Sequence, residues 1–220
     1  YENREQIWGY RENEPMGGYD PYSSSKGAAE IAISSWRRSF FNPADYGKKH
    51  HVSIASVRAG NVIGGGDWAL DRIIPDCIKA IEAGEPIAIR NRTAVRPWQH
   101  VLEPLSGYML LAQKMWDNPT KYCEGWNFGP RAESISTVWD VASRLAVSYG
   151  RGELNDMSDP NAVHEANLLM LDISKAKFSL GWEPRMNIDQ CIDLVADWYK
   201  RYKTEDVYSL CVEEIERYIS

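Results

Sequence analysis

Apolar positions recur along this chain in two periods, and the alternation between them outlines the elements. Residues 1–21 carry Gly, Pro, Asn and Asp at turn spacing and read as a loop. From Tyr22 to Phe41 apolar residues recur at roughly helical spacing, at Ala29, Ile31, Ala32, Trp36 and Phe40, and Asn42-Pro43 stops the helix. Val52 to Val57 alternates β-branched residues with Ser and Ala and predicts a strand. That strand runs into Arg58-Ala59-Gly60-Asn61 and the triplet Gly64–Gly66. Further helices are predicted over 71–83, 102–117, 136–149, 188–202 and 205–219, with a short one over 174–180. Strands are predicted over 86–90 and 125–128, and 151–173 reads as irregular with strand pieces. Strand and helix follow one another through modest connections. That rhythm predicts a layered α/β fold with mostly parallel strands.

Composition narrows the function class. Hydrophobic residues make up 44% and charged residues 25%, ordinary for a globular protein. The net charge is −6, and Lys and Arg form no basic stripe, so nucleic acid is not an expected partner. No apolar run reaches the roughly 20 residues of a membrane-spanning helix, so no membrane partner is expected. Cys77, Cys123, Cys191 and Cys211 are scattered without CxxC spacing. They point to neither a zinc site nor a disulfide framework, but to reduced thiols in a cytoplasmic protein. No metal is expected.

Five constellations carry candidate chemistry. Tyr22 and Lys26 stand four apart and share one helix face. An ammonium beside a phenol favours the phenolate, which can take a proton from a sugar hydroxyl, and the Lys can donate to ribose hydroxyls. A solvent-facing amphipathic helix shows the same spacing. The small residues Ser24, Ser25, Gly27, Ala28 and Ala29 around the pair favour close approach of a ligand or a neighbouring backbone. Gly60-Asn61 closes a strand, where open α/β sheets place ligand contacts, and Gly64–Gly66 lets backbone amides approach an anion; a surface turn is the alternative. Arg96-Pro97-Trp98-Gln99-His100-Val101 offers a guanidinium suited to phosphate oxygens, which Arg72, Arg90 and Arg92 could supplement. An Arg paired with a surface carboxylate is the bland reading, and His100 reads as structural. Asn127 lies at another strand end, and His164-Glu165 in an irregular segment. Gly181-Trp182-Glu183-Pro184 reads as a helix stop with a packed indole.

Taken in order, these elements resemble the extended short-chain dehydrogenases that act on sugar nucleotides. The shared series is Y-x-x-x-K, R-x-x-N, R-x-W-x-H-V, N-x-G and L-G-W-x-P. The strings GGGDWA and RPWQHVLEPLSGY are more specific and look like the CDP-glucose 4,6-dehydratase group within that family. The resemblance implies an NAD-dependent hydro-lyase. It oxidises C4 of CDP-glucose, eliminates water across C5 and C6 and reduces C6, giving CDP-4-keto-6-deoxyglucose for deoxysugar and O-antigen precursors. Another NAD-dependent sugar-nucleotide epimerase, reductase or dehydratase, and a non-catalytic nucleotide-sugar-binding fragment, are the rival readings.

By matching motif position, the resemblance makes Tyr22 the base at the C4 hydroxyl and Lys26 the residue that holds the nicotinamide ribose. Gly60 and Asn61 would contact cofactor; Asn61, Arg96 and Asn127 would contact substrate. Arg72 would lie in a helix lining the nucleotide pocket, and His164 and Glu165 would contact the nucleotide. The expected fold class is the C-terminal part of a Rossmann-type doubly wound sheet plus a smaller mixed α/β substrate lobe. Residues 1–60 would be the later part of the NAD-binding domain and 61–220 mainly the lobe, with segments near 86–130 returning to the first domain. The family's G-x-x-G-x-x-G turn and its eliminating Asp-Lys pair are expected ahead of Tyr1, in a longer enzyme. A homodimer or dimer of dimers is expected through the Tyr/Lys helix, with Trp36 and Phe40 as candidates.

Overall fold

The computed structural model describes residues 1–131, 134–158 and 169–220. Helix α1 spans Pro21–Ser39 and ends before Asn42-Pro43. Strands β1 (Ser56–Ala59) and β2 (Asn61–Ile63) precede α2 (Ile73–Ala83), which stops at Gly84 with φ 73°. Then come β3 (Ile87–Ile89), β4 (Val95–Arg96), β5 (Trp98–His100), α3 (Leu102–Asp117) and β6 (Gly125–Phe128). Strand β7 (Ser136–Thr137), α4 (Val138–Tyr149), β8 (Leu154–Asp156), a π-helical turn at Ala176–Leu180, α5 (Ile188–Arg201) and α6 (Val207–Ile219) finish the chain.

Strands pair two by two among the described residues. Parallel pairs join β1 to β6, β2 to β5 and β3 to β8, and one antiparallel pair joins β4 to β7. The parallel preference read from the strand–helix rhythm is therefore present. The strand expected over 52–57 sits instead at Ser56–Ala59. Its register is set by β6, with Ser56 opposite Gly125 and Ala59 opposite Phe128, and this pairing overrides the local β-propensity of Val52 and Ile54.

The chain forms two compact units. The first comprises Tyr1–Ala59, Pro104–Gly129 and Leu169–Glu183. Its core holds Leu111, Tyr122, Trp126, Phe128, Ala176, Leu180 and Trp182. Gly181 takes φ 78° and ends the π-helical turn, and the Trp182 indole packs edge-on to Phe128 and donates to Ser106 Oγ at 3.0 Å. The helix-stop reading of that motif therefore holds.

The second unit comprises Gly60–Glu103, Pro130–Leu168 and Pro184–Ser220. Its core is built by α2, α4 and α5 with β2, β3 and β5. Helix α5 buries Ile188, Cys191, Ile192, Val195 and Tyr199, a helical stripe, and its start is fixed by a reciprocal cap between Asn187 and Gln190. Helix α4 is capped likewise by Thr137 and Asp140 and closed by Gly150 at φ 92°. Of the expected returning segments near 86–130, Pro104–Gly129 lies in the first unit, and Leu169–Glu183, which was not expected there, joins it.

Candidate functional site

In the first unit the chemistry lies on the first turn of α1. Asp20 caps it by accepting from the Ser23 amide at 3.0 Å while the Ser23 hydroxyl reaches back, and Pro21 opens the helix. Gly18 must be glycine, because a Cβ there would lie 2.2 Å from the Ser24 amide. Gly27 faces inward, over the Gly17 backbone. That packing turns Tyr22 and Lys26 outward. Tyr22 is 71% exposed, and Lys26 Nζ stands 5.3 Å from the centre of its ring. Neither side chain makes a hydrogen bond to another described residue. The structure thus brings this pair together and leaves both polar ends open.

One turn beyond Lys26 on α1, Glu30 belongs to a largely shielded network. Arg58 Nη2 donates to Glu30 Oε2 at 2.8 Å, Arg58 Nη1 to the Tyr1 hydroxyl at 2.6 Å and to the Glu12 carbonyl at 3.0 Å, and Ser56 Oγ to Glu30 Oε2 at 2.8 Å. Burial pushes the Glu30 carboxyl up, but the Arg58 and Ser56 hydrogen bonds and the Arg58 charge outweigh it and hold the group below the ordinary carboxylate value. The Tyr1 hydroxyl in turn donates to Asn127 Oδ1 at 2.7 Å.

Asn127 differs from its expected role. It is fully buried, its amide nitrogen donates to the carbonyls of Tyr10 and Asp172, and its backbone N–H donates to Glu12. With both ends of the amide used, it ties the opening loop to β6 and presents nothing to a ligand. The sequence pointed to the Asn at the strand end and, through R-x-x-N, to Arg58, but gave Arg58 no partner and did not point to Glu30, whose one signal was its place four residues beyond Lys26 on the same helix.

In the second unit, Gly60-Asn61 and Arg96-Pro97 are brought together. Strand β2 pairs with β5 so that Asn61 lies opposite Trp98. A Cβ on Gly60 would meet Pro97 Cγ and carbonyl at 2.8 Å. Gly60 therefore serves the approach of its own neighbour rather than opening a place for a cofactor. The half-buried Asn61 side chain makes no hydrogen bond to a described residue, and Arg96 is half-buried, with Nη1 on the Val95 carbonyl at 2.9 Å. Arg72 stands exposed one residue ahead of α2 rather than within it, its guanidinium 3.9 Å from Asp67. His164 and Glu165 lie outside the described residues.

The glycine triplet also differs from an anion cradle. Gly64 faces Val101, and a Cβ on Gly65 would fall 2.2 Å from the Trp198 indole. His100 is buried as a structural residue; desolvation lowers its pKa to about 4, so it stays neutral at physiological pH.

Residues 3–195 match the sequence profile of the family described as GDP-mannose 4,6 dehydratase. The chain belongs to that family. Over its whole length it is 50% identical to CDP-glucose 4,6-dehydratase of Salmonella typhimurium, of which it covers 61%. A dTDP-glucose 4,6-dehydratase of Xanthomonas campestris pv. campestris is 24% identical over 89% of the chain and 53% of that protein. Among solved structures, the dTDP-glucose 4,6-dehydratase of Bacillus anthracis in complex with NAD superposes with a TM-score of 0.72 at 19% identity, covering 93% of this chain and 60% of that one. UDP-glucuronic acid 4-epimerase from Bacillus cereus gives 0.73 at 18% identity, covering 90% and 58%. These neighbours establish the expected fold class, the Rossmann-type α/β fold of sugar-nucleotide dehydratases and epimerases. The chain spans about three fifths of the length of the Salmonella relative.

Proposed function

We propose that this chain supplies the substrate-binding part, and the Tyr/Lys half of the catalytic machinery, of an NAD-dependent CDP-glucose 4,6-dehydratase. The reading rests on the 50% identity to the Salmonella enzyme along the complete chain, which includes the Tyr22-Ser23-Ser24-Ser25-Lys26 turn. NAD, when bound, supplies the reversible hydride acceptance that oxidation at C4 and reduction at C6 require. The outward phenol and ammonium on a turn of small residues fit a ribose and a sugar hydroxyl; Gly60, filled by Pro97, does not join them.

Tyr22 Oη takes the proton of the C4 hydroxyl as the C4–H bond breaks. The Lys26 ammonium steadies the phenolate and donates to the ribose. Asn61 offers its amide, and Arg96 and Arg72 their charge, to the pyrophosphate and nucleotide of the CDP-sugar. The product is a precursor for deoxysugars of the O-antigen kind. We place the enzyme in the cytoplasm, in keeping with four free thiols, and as a homodimer or dimer of dimers through α1, whose Ile31, Trp36 and Phe40 are exposed beside a hollow lined by Ala29, Ala32, Ile33 and Ile54.

The test is turnover by the whole enzyme with NAD and CDP-glucose, read from the alkaline absorbance of a 4-keto product. Formation from CDP-glucose in preference to dTDP- and UDP-glucose is expected. Equal turnover of all three would refute the CDP assignment, and a C4 epimer without a keto product would assign an epimerase.

A further inference from the structure

The loop from Gly64 to Arg72 in the second unit is exposed along most of its length, yet it is held at Gly65, Asp67, Trp68 and Asp71. Beneath it lies the aromatic face of α5. The Trp198 indole, 6% exposed, occupies the space that any side chain on Gly65 would need. Tyr199 Oη donates to the Asp67 carbonyl at 2.7 Å. The Trp68 ring stands edge-on to Tyr199 at 5.3 Å and tilts over Tyr202 at 5.4 Å, and Tyr202 stacks on Trp198 at 5.3 Å and 4°. From α2, Lys79 Nζ reaches the Trp68 carbonyl at 3.1 Å. Asp71 then takes φ 58°, a left-handed conformation that costs a residue with a side chain energy, and its carboxylate pairs with Arg90 at 2.8 Å.

A surface turn that only joined β2 to α2 would need none of this. Strain at a residue such as Asp71 persists where the surroundings over-determine the backbone, and such places gather at sites that must hold a shape for a ligand. This loop begins three residues after Asn61, whose side-chain amide makes no hydrogen bond among the described residues, and ends on the exposed Arg72 guanidinium. Both groups are proposed above to face the CDP-sugar.

We infer that Trp198 and Tyr199 of α5 are positioning residues for the nucleotide of the CDP-sugar. They touch no ligand. They fix the Gly64–Arg72 loop from below, so that Arg72 and the end of β2 are preset rather than ordered at the moment of binding. Presetting a loop removes an entropic penalty from binding, so its loss falls on affinity more than on the chemical step. The inference rests on the CDP-glucose reading and assigns α5 a part in nucleotide affinity that its burial alone does not reveal.

The experiment uses the whole enzyme and titrates CDP calorimetrically, alongside KM, kcat and Tm. Trp198→Ala is expected to weaken CDP binding and raise KM by roughly tenfold or more while kcat changes less than about threefold. Tyr199→Phe, which loses only the bond to Asp67, should give roughly threefold in the same direction. Gly65→Ala should weaken CDP binding in the parent but add nothing in the Trp198→Ala background, because the indole it would strike is gone. A purely structural role would lower Tm in each variant and leave CDP affinity per folded molecule at the parent value, which overturns the inference. If Trp198→Ala does not fold, Tyr199→Phe and Gly65→Ala decide alone, and parental affinity in both is again a refutation. If the parent enzyme itself binds no CDP, the CDP reading falls and the inference falls with it, a result distinct from variants that bind as the parent does.

Discussion

Two polar clusters stand on the same unit and share helix α1, yet they are opposites. Tyr22 and Lys26 at its first turn are open to solvent and have no hydrogen-bond partner among the described residues. Arg58, Glu30 and Tyr1, largely shielded from solvent, and the fully buried Asn127 are bound to one another by bonds of 2.6–2.8 Å, with Glu30 one turn beyond Lys26. Tyr22 and Lys26 in one cluster, and Arg58 and Asn127 in the other, belong to the same series of family motifs, so motif membership does not distinguish them. Pairing does. Both Arg58 Nη atoms are engaged inside the fold, with only its Nε unpartnered there, and a polar group so engaged holds the fold together. One left open beside small residues is available for chemistry.

The contrast breaks most forcefully at Arg58. Arg58→Ala leaves the Glu30 carboxylate buried without its cation and should lower stability by about 3 to 5 kcal/mol in chemical unfolding. Glu30 is held below its ordinary value of 4.5, so the stabilisation is complete above that pH and fades as the pH falls through the lower folded value. The gap between parent and variant should therefore narrow as the pH falls below 4.5, leaving the part that comes from the Arg58 bonds to Tyr1 and Glu12. A loss that persists unchanged in acid would remove the ion pair from the account.

His100 gives the next effect. Its folded pKa is depressed to about 4 from 6.5 by burial, so stability is whole above pH 6.5 and is lost as pH falls toward 4. The fall should reach about 3 kcal/mol, and His100→Gln should flatten it. Equal pH slopes for both proteins would show that another group governs acid sensitivity.

Asn127→Ala is expected to remove about 2 kcal/mol of stability, because the Tyr1 hydroxyl and two carbonyls lose a buried partner. CDP affinity per folded molecule should stay at the parent value. A clear fall in affinity at constant stability would return Asn127 to the binding site and erase the contrast.

Much of this was legible in the sequence. Helix α3 and strand β6 lie at the residues that periodicity indicated, since each is flanked by strong punctuation, Asn118-Pro119 and Gly129-Pro130. Strands β2, β4 and β5 were not read. They are two or three residues long and exist only through their partners, which no local period records. The outward Tyr22–Lys26 pair was legible because its spacing and its capped helix start are local. The roles of Asn127 and Gly65 were not, because they depend on Tyr1, Tyr10 and Trp198, which are remote in sequence and near only in the fold. An Asn at a strand end and a glycine triplet after a strand serve ligands in some folds and packing in others; the neighbours decide.

The central claim is that the open pair does chemistry while the buried network holds the scaffold, and Tyr22→Phe in the whole enzyme tests it most directly. With Tyr22 71% exposed, the account predicts an unchanged Tm and CDP affinity and a fall in turnover of CDP-glucose of roughly 100-fold or more. Near-normal turnover, or a loss of CDP binding that accounts for the whole defect, would contradict it.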